Sequence, residues 1–483
     1  MQSSSESREI APEPPASATG RFSRLREEMG WTVRIGGPLA LGELGWMSTY
    51  IVDALMIGRL PHSAISIAAS STGNTIYYAI AFFVIYLMNG LEALVAQAFG
   101  RGDRREGIRL LGQSLWIVVL GTPLTMGLTL GAVALLPRFG TPPDLVAETQ
   151  RYVHALVWST LPLLLYMALR RYLQSVNRVM LISASLITAG VVNFLGDYAF
   201  LFGHLGAKAM GVAGSGWGTL VVRLWMLSLL LAGTALSFRA SSDRLRWSDV
   251  KLDWPRMKAL LKIGWPSGLE FSTELGISTY IGIMCTRMGT LLTAANQVVL
   301  DLNAFVYQVP AGLSYAAMIR VGQGAGRNDA AQVRRATRAC LLIAMGFVLV
   351  AAGLFVGFAP FWAGLYTNDP AVRVAAIPIF LICGFLQFVD AVFVIYASAL
   401  TGLGDTRAPM IVSLLANWGV GMPLAYMLAF PAGQALHGLW VGRAVGSLLA
   451  ATGLATWWQW KLRRATRPER KESLAILTPA TVK

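Results

Sequence analysis

Long apolar stretches follow one another along nearly the whole chain, separated only by short polar breaks. A bilayer core of roughly 30 Å is crossed by about 20 residues of helix. Backbone groups in lipid must bond within their own segment, so such stretches can only be helices packed into a bundle. The breaks are too short to fold as domains. Composition agrees: of 483 residues 55% are hydrophobic and only 13% charged. The expectation is an all-α integral membrane protein with twelve transmembrane helices. They are placed at 36–58, 68–98, 110–136, 153–171, 179–202 and 211–237, then at 263–286, 292–321, 338–362, 375–402, 409–430 and 436–460.

The net charge of +15 could suggest a nucleic-acid partner, but its placement argues for a membrane topology. These spans leave Arg59, Arg138, Arg151, Lys208, Arg287 and Arg373 on one side, with Arg223 and Arg443 inside helices. The other lysines and arginines fall on the side that both termini share, and positive loops stay cytoplasmic. The reading is therefore a multi-pass inner-membrane protein with both termini inside and no nucleic-acid partner. The first apolar run is too long to read as a cleaved signal. The layout follows as a tail (1–34), a first lobe (35–237), a linker (238–262), a second lobe (263–460) and a second tail (461–483). The linker is basic and holds Trp247 and Trp254, which suits a segment lying along the inner membrane surface.

The two lobes repeat. Ile35-Gly36-Gly37-Pro38 opens the first, and Ile263-Gly264-Trp265-Pro266 opens the second. The run from Val95 through Gln97, Gly100 and Arg101 to Asp103 is answered by Val321, Gln323, Gly326, Arg327 and Asp329 at the same spacing. Six spans per half keep corresponding helices in the same orientation, so the halves form a parallel, pseudo-symmetric repeat of two six-helix bundles. In the Gln-x-x-Gly-x-x-Asp turns, Gly is read as permitting the exit from a helix, and Arg and Asp as solvating the loop.

Charge inside a membrane is expensive and usually faces a cavity. Asp53 interrupts the first span, Asp197 follows Asn193 by four residues on one helical face, Glu270 and Glu274 share a face of the seventh span, and Asp390 lies mid-span in the tenth. An unpaired buried carboxylate must take a proton, bind a metal cation or face water. That is the behaviour a cation-coupled antiporter needs. The alternative for each acid is a helix cap or a partner for Arg223 or Arg443, and pairing with a neighbouring acid is the default for those two arginines. Tyr77, Tyr78, Phe305 and Tyr307, with Phe82, Phe83 and Tyr280, can line a cavity and hold cations on their faces, although packing is the favoured reading. Cys285, Cys340 and Cys383 read as buried inert thiols. His62, His154, His204 and His437 show no ligand spacing, and no phosphate loop appears, so neither an enzyme nor an ATP-driven exporter is expected. Pro38, Pro123, Pro162, Pro266, Pro310, Pro378 and Pro423 read mostly as static kinks.

In order and spacing these motifs resemble the multidrug and toxic compound extrusion (MATE) transporters, in their NorM-like branch. The resemblance is carried by Pro38 through Asp53-Ala54-Leu55-Met56-Ile57-Gly58, the Val-Ala-Gln-Ala-Phe-Gly turn, and Asn193/Asp197 with Gly211-Val212-Ala213-Gly214. It continues through Gly264-Trp265-Pro266, Glu274, Asp390 and Gly402-Leu403-Gly404-Asp405-Thr406-Arg407, and covers residues 30–460. It implies an amino-terminal cation site of Asp53, Asn193, Asp197 and Thr219, and a carboxy-terminal acidic site of Glu274 and Asp390. Glu270 is an additional acid, and Leu386 stands where some NorM-like members carry a tyrosine one turn before the helix-ten acid. The implied activity is export of small organic cations in antiport with H⁺ or Na⁺, by a monomer needing no cofactor. Na⁺ would bind only transiently, at Asp53 or at Glu274 and Asp390. A lipid-linked precursor flippase or a metabolite exporter of the same superfamily is the alternative. The flippase should carry a cluster of arginines within its helices.

Overall fold

A computed structural model describes residues 21–60, 63–241 and 246–465. The first half contains α1 (Arg21–Ile57), α2 (Ser63–Leu87), α3 (Asn89–Gly100), α4 (Arg104–Leu135), α5 (Pro143–Leu156), α6 (Thr160–Ser175), α7 (Val179–Phe202) and α8 (Val212–Ser241). The short α9 (Trp247–Val250) precedes the second half: α10 (Trp254–Arg287), α11 (Thr290–Gly326), α12 (Ala330–Gly357), α13 (Ala359–Tyr366), α14 (Pro370–Gly402), α15 (Arg407–Ser413), α16 (Met422–Ala429) and α17 (Ala435–Ala465). These make the twelve spans, because four crossings are broken into pieces. The second is interrupted at Met88 between α2 and α3, and the fourth by a 3₁₀ turn at Val157–Ser159, before Pro162. The ninth extends beyond Phe358 into α13, with Pro360 in its first turn, and the eleventh contains a π-helical stretch, Leu414–Gly421.

Among the described residues, nine of the crossings are long and apolar enough to span a membrane on length and composition alone. The other three are α1, α10 and α11, with 37, 34 and 37 residues, which fall short on polarity rather than length. α1 packs along α11 and α10 along α2, so these helices form the seam between the bundles. Phe271 stacks on Tyr86 (4.1 Å between rings) and meets Phe82 edge-on (4.9 Å), joining α10 to α2 across that seam.

Two stretches expected outside the spans are helical. Residues 21–34 form the first turns of α1, where Glu28 accepts from Arg320 at 2.7 and 2.9 Å and Thr32 lies 3.6 Å from the Cys340 sulfur. Buried partners on α11 and α12 let these polar turns remain helix. In the stretch read as a linker, α9 is held on α4. Gln113 donates to the carbonyls of Asp249 and Lys251, Trp116 donates to that of Val250, and Arg105 pairs with the Asp249 carboxylate. α10 already begins at Trp254, and its Arg256 pairs with Glu106 of α4 at 2.9 Å. The three cysteines are free and buried. His62 and the chain beyond residue 465 lie outside the described residues.

Candidate functional site

In the first half, α1, α7 and α8 converge on one polar cluster. Asn193 and Asp197 lie one turn apart on α7, and Asn193 Nδ2 donates both to Asp53 Oδ1 on α1 at 2.5 Å and to Asp197 Oδ2 at 3.4 Å. Asp197 is only 1% exposed, and its Oδ1 has no hydrogen-bond partner among the described residues. That oxygen rests against α8, where a Cβ on Gly218 would come within 2.6 Å of it. Gly218 thus leaves the space that Asp197 occupies. Thr219 is the next residue, but its hydroxyl donates to the Ser215 carbonyl of its own helix at 3.0 Å. Asp53, Asn193 and Asp197 are therefore brought together, with Thr219 adjacent and turned to its backbone. One amide bridging two carboxylates can satisfy one oxygen of each, and the remaining charge calls for a proton or a cation.

Arg223, one turn beyond Thr219, does not pair with an acid as expected. It is buried, and its guanidinium donates to the hydroxyls of Tyr77 (2.7 Å), Ser159 (2.5 Å) and Tyr78 (3.1 Å), lying 5.0 Å over the Tyr77 ring. Burying an unpaired charge would cost several kcal/mol. Three hydroxyls and a ring face offset that here without using up a carboxylate. Tyr77 and Tyr78 serve as this clasp.

In the second half, Glu274 of α10 and Asp390 of α14 line one small cavity with Asn417, Arg443 and Ser447. Asn417 comes from the π-helical stretch, a local widening that often marks functional sites. Arg443 lies 5.3 Å over the Trp440 ring, and no ion pair joins it to an acid within 4 Å among the described residues. Arg443 Nη1 is buried without a partner. The expected pairing is thus absent for both arginines, although Arg443 shares its cavity with two carboxylates. The two arginines do not occupy matching positions: Gly218 of α8 packs on Asp197 as Gly442 of α17 packs on Ala425, so Arg443 corresponds to Thr219 and Arg223 to Ser447. Glu270 sits one turn from Glu274, half-buried, outside the cavity lining, and its carboxylate enters none of the described hydrogen bonds. Tyr307 is half-buried within electrostatic reach of Glu274 and Asp390, whereas Phe305 is 49% exposed.

Sequence reasoning missed a set of buried ion pairs and understated the basic residues inside helices. Arg170 of α6 pairs with Glu43 of α1, and Arg171 with Glu92 of α3 at 2.6 Å, both guanidinia stacking over the Tyr315 ring at 5.7 and 5.1 Å. Arg320 pairs with Glu28. The signal was legible: adjacent arginines inside an apolar run, and Glu43 and Glu92 inside others. Each pair is neutral, so these groups do not make a basic cavity. Among the described residues no three His, Cys, Asp or Glu side chains gather as a metal site. His154 Nδ1 meets the Gln150 carbonyl at 2.7 Å, and His204 packs edge-on against Tyr198.

Comparison with known proteins places this geometry in context. The MatE family model matches the chain twice, over residues 38–199 and 266–427, one match in each half. A protein of Bradyrhizobium diazoefficiens named "Probable multidrug resistance protein NorM" is 32% identical over 435 residues, covering 89% of this chain and 92% of the relative. One of Pseudomonas aeruginosa named "Multidrug resistance protein PmpM" is 30% identical over 455 residues, covering 90% and 92%. Among solved structures, a "Crystal structure of MATE in the straight conformation" superposes with a TM-score of 0.83 at 17% identity, covering 92% of this chain and 99% of the other.

Proposed function

This chain belongs to the MATE family, and from that premise we propose that it exports small organic cations across the bacterial inner membrane in exchange for H⁺ or Na⁺. It is a multi-pass transporter rather than an enzyme, and a single chain carries both bundles. The observation that carries the coupling is the Asn193 bridge between Asp53 and Asp197, with one buried Asp197 oxygen left unpartnered. A coupling cation entering from outside neutralises that pair, and a drug cation held by the same charge is released. When the site faces the cytoplasm, the coupling ion leaves and the carboxylates attract drug again. Such exchange requires each cation to prefer one state over the other.

Glu274 and Asp390 provide a second acidic surface, with Tyr307 near enough to contribute its ring face to a cation. Thr219 and Glu270 act from the periphery of the two sites. Both termini lie in the cytoplasm in this reading, which follows from the placement of lysine and arginine. A flippase of this fold would need basic side chains free for a headgroup, but Arg170, Arg171 and Arg320 are neutralised by Glu43, Glu92 and Glu28.

Efflux of ethidium from everted vesicles, under an imposed pH or Na⁺ gradient, tests this. Gradient-driven movement is expected, and the gradient that drives it identifies the coupling ion. No movement under either gradient would overturn the reading and bring the flippase or metabolite exporter forward.

A further inference from the structure

The repeated Gln-x-x-Gly-x-x-Asp segments do more than turn the chain. Asp103 and Asp329 cap the following helices, accepting from the amides of Glu106 (3.0 Å) and of Ala331 and Gln332 (2.9 Å each). The left-handed residues of the two turns are Gly102 and Asn328, not Gly100 and Gly326. The last two glycines serve a close approach. A Cβ on Gly100 would lie 2.2 Å from the Gln323 carbonyl oxygen, and one on Gly326 would lie 2.1 Å from that of Gln97. Each half's motif therefore lies against the other's backbone.

The glutamine side chains complete the crossing. Gln97 Nε2 donates to the Gly402 carbonyl in the second half at 2.9 Å. Gln323 Nε2 donates to the Ser175 carbonyl in the first half at 3.1 Å and to Asn177 Oδ1 at 3.0 Å. Ser175 and Gly402 are themselves equivalent, the last residues of α6 and α14. Both glutamines are 0% exposed. The result is a pair of matching latches across the lobe interface.

We infer that Gln97 and Gln323 are the gate residues that hold the two lobes shut at the end bearing the α3–α4 and α11–α12 turns, and that their bonds break in each transport cycle. This rests on the reading that the lobes alternate access. The bonds span the seam, so they exist only while the lobes are closed at this end and stabilise that state alone. A buried amide-to-carbonyl bond biases such an equilibrium by roughly fivefold to tenfold. Two latches of this strength favour closure and remain reversible by exchange of bound cations.

Ser175→Cys supplies the readout. It is a near-isosteric change at a site that is 0% exposed beside the crossing, in a chain whose three native thiols are buried. A membrane-impermeant maleimide should modify it slowly. Adding Gln323→Leu should accelerate modification by roughly fivefold or more, and Gln97→Leu should accelerate it as well. Gln332→Leu is the control, because the Gln332 side chain is buried and accepts from Arg327 of the same half. It should leave the rate unchanged. Should either leucine variant fail to purify as a single species, the Gln→Met change at the same position takes its place. Rates equal to the Ser175→Cys parent, or equal acceleration by the control, would overturn the gate. The labelling needs no substrate. A responsive thiol in a protein that moves no organic cation would therefore uphold the gate and sink only the transport reading. Unchanged labelling in a protein that transports ethidium would sink the gate alone.

Discussion

The two acidic sites lie in equivalent bundles yet solve the problem of buried charge differently. In the first half, Arg223 is occupied by Tyr77, Tyr78 and Ser159, and Asn193 bridges the Asp53 and Asp197 carboxylates. In the second half, Arg443 has no such clasp. It lines the same cavity as Glu274 and Asp390 and keeps an unpartnered nitrogen there. A positive charge sharing a cavity with two acids lowers their demand for another cation. We propose a division of labour from this difference: the first site binds the coupling ion more stringently, and the second holds cargo with partial compensation already in place.

Gradient-driven ethidium efflux distinguishes the sites most strongly. Asp197→Asn or Asp53→Asn should reduce it at least about tenfold, a loss worth about 1.4 kcal/mol in the transport barrier. Asp390→Asn or Glu274→Gln should instead cost about threefold, appearing mainly as a weaker apparent affinity for ethidium. A larger loss at Asp390 than at Asp197 would invert the division. Arg223→Lys should lower the apparent melting temperature in detergent by a few degrees, because an ammonium cannot satisfy three hydroxyls and a ring face as the planar guanidinium does. Arg443→Lys, with no hydroxyl clasp to lose, should shift melting less. Glu270→Gln, outside the cavity lining, should change efflux by less than about twofold. An effect matching that of Glu274→Gln would enlarge the second site by one acid.

Much of this was legible in residue order. Twelve crossings, a parallel repeat and the Asn193/Asp197 face all follow from hydropathy and helical spacing. Span 179–202 coincides with α7, because a 24-residue apolar run bounded by polar turns leaves little freedom. The breaks at Met88 and Val157–Ser159 and the π-helical turn around Asn417 were not legible, since tertiary packing sets them within runs that average as continuous helix. The charges of Glu43, Arg170, Glu92 and Arg171 could be read one by one, but their pairing could not. A span's mean hydropathy absorbs one or two charges, and partners 79 or 127 residues apart show no sequence periodicity. Gln97 and Gln323 read only as part of a repeated turn, because the approach that buries them comes from the other half of the chain. For the arginines, proximity to an acid in sequence terms was a poor guide, since hydroxyls on α2 captured Arg223 first.

Equilibrium binding of ethidium to the purified protein, titrated against both pH and Na⁺, tests the central claim that drug and coupling ion compete for the same carboxylates. The account predicts that affinity weakens as pH falls or as Na⁺ rises, approaching tenfold per tenfold change in the coupling ion at high concentration. In Asp53→Asn and Asp197→Asn that dependence should flatten, while Asp390→Asn should weaken binding and retain it. Affinity indifferent to both ions in the wild-type protein, or an undiminished dependence in Asp53→Asn and Asp197→Asn, would contradict it.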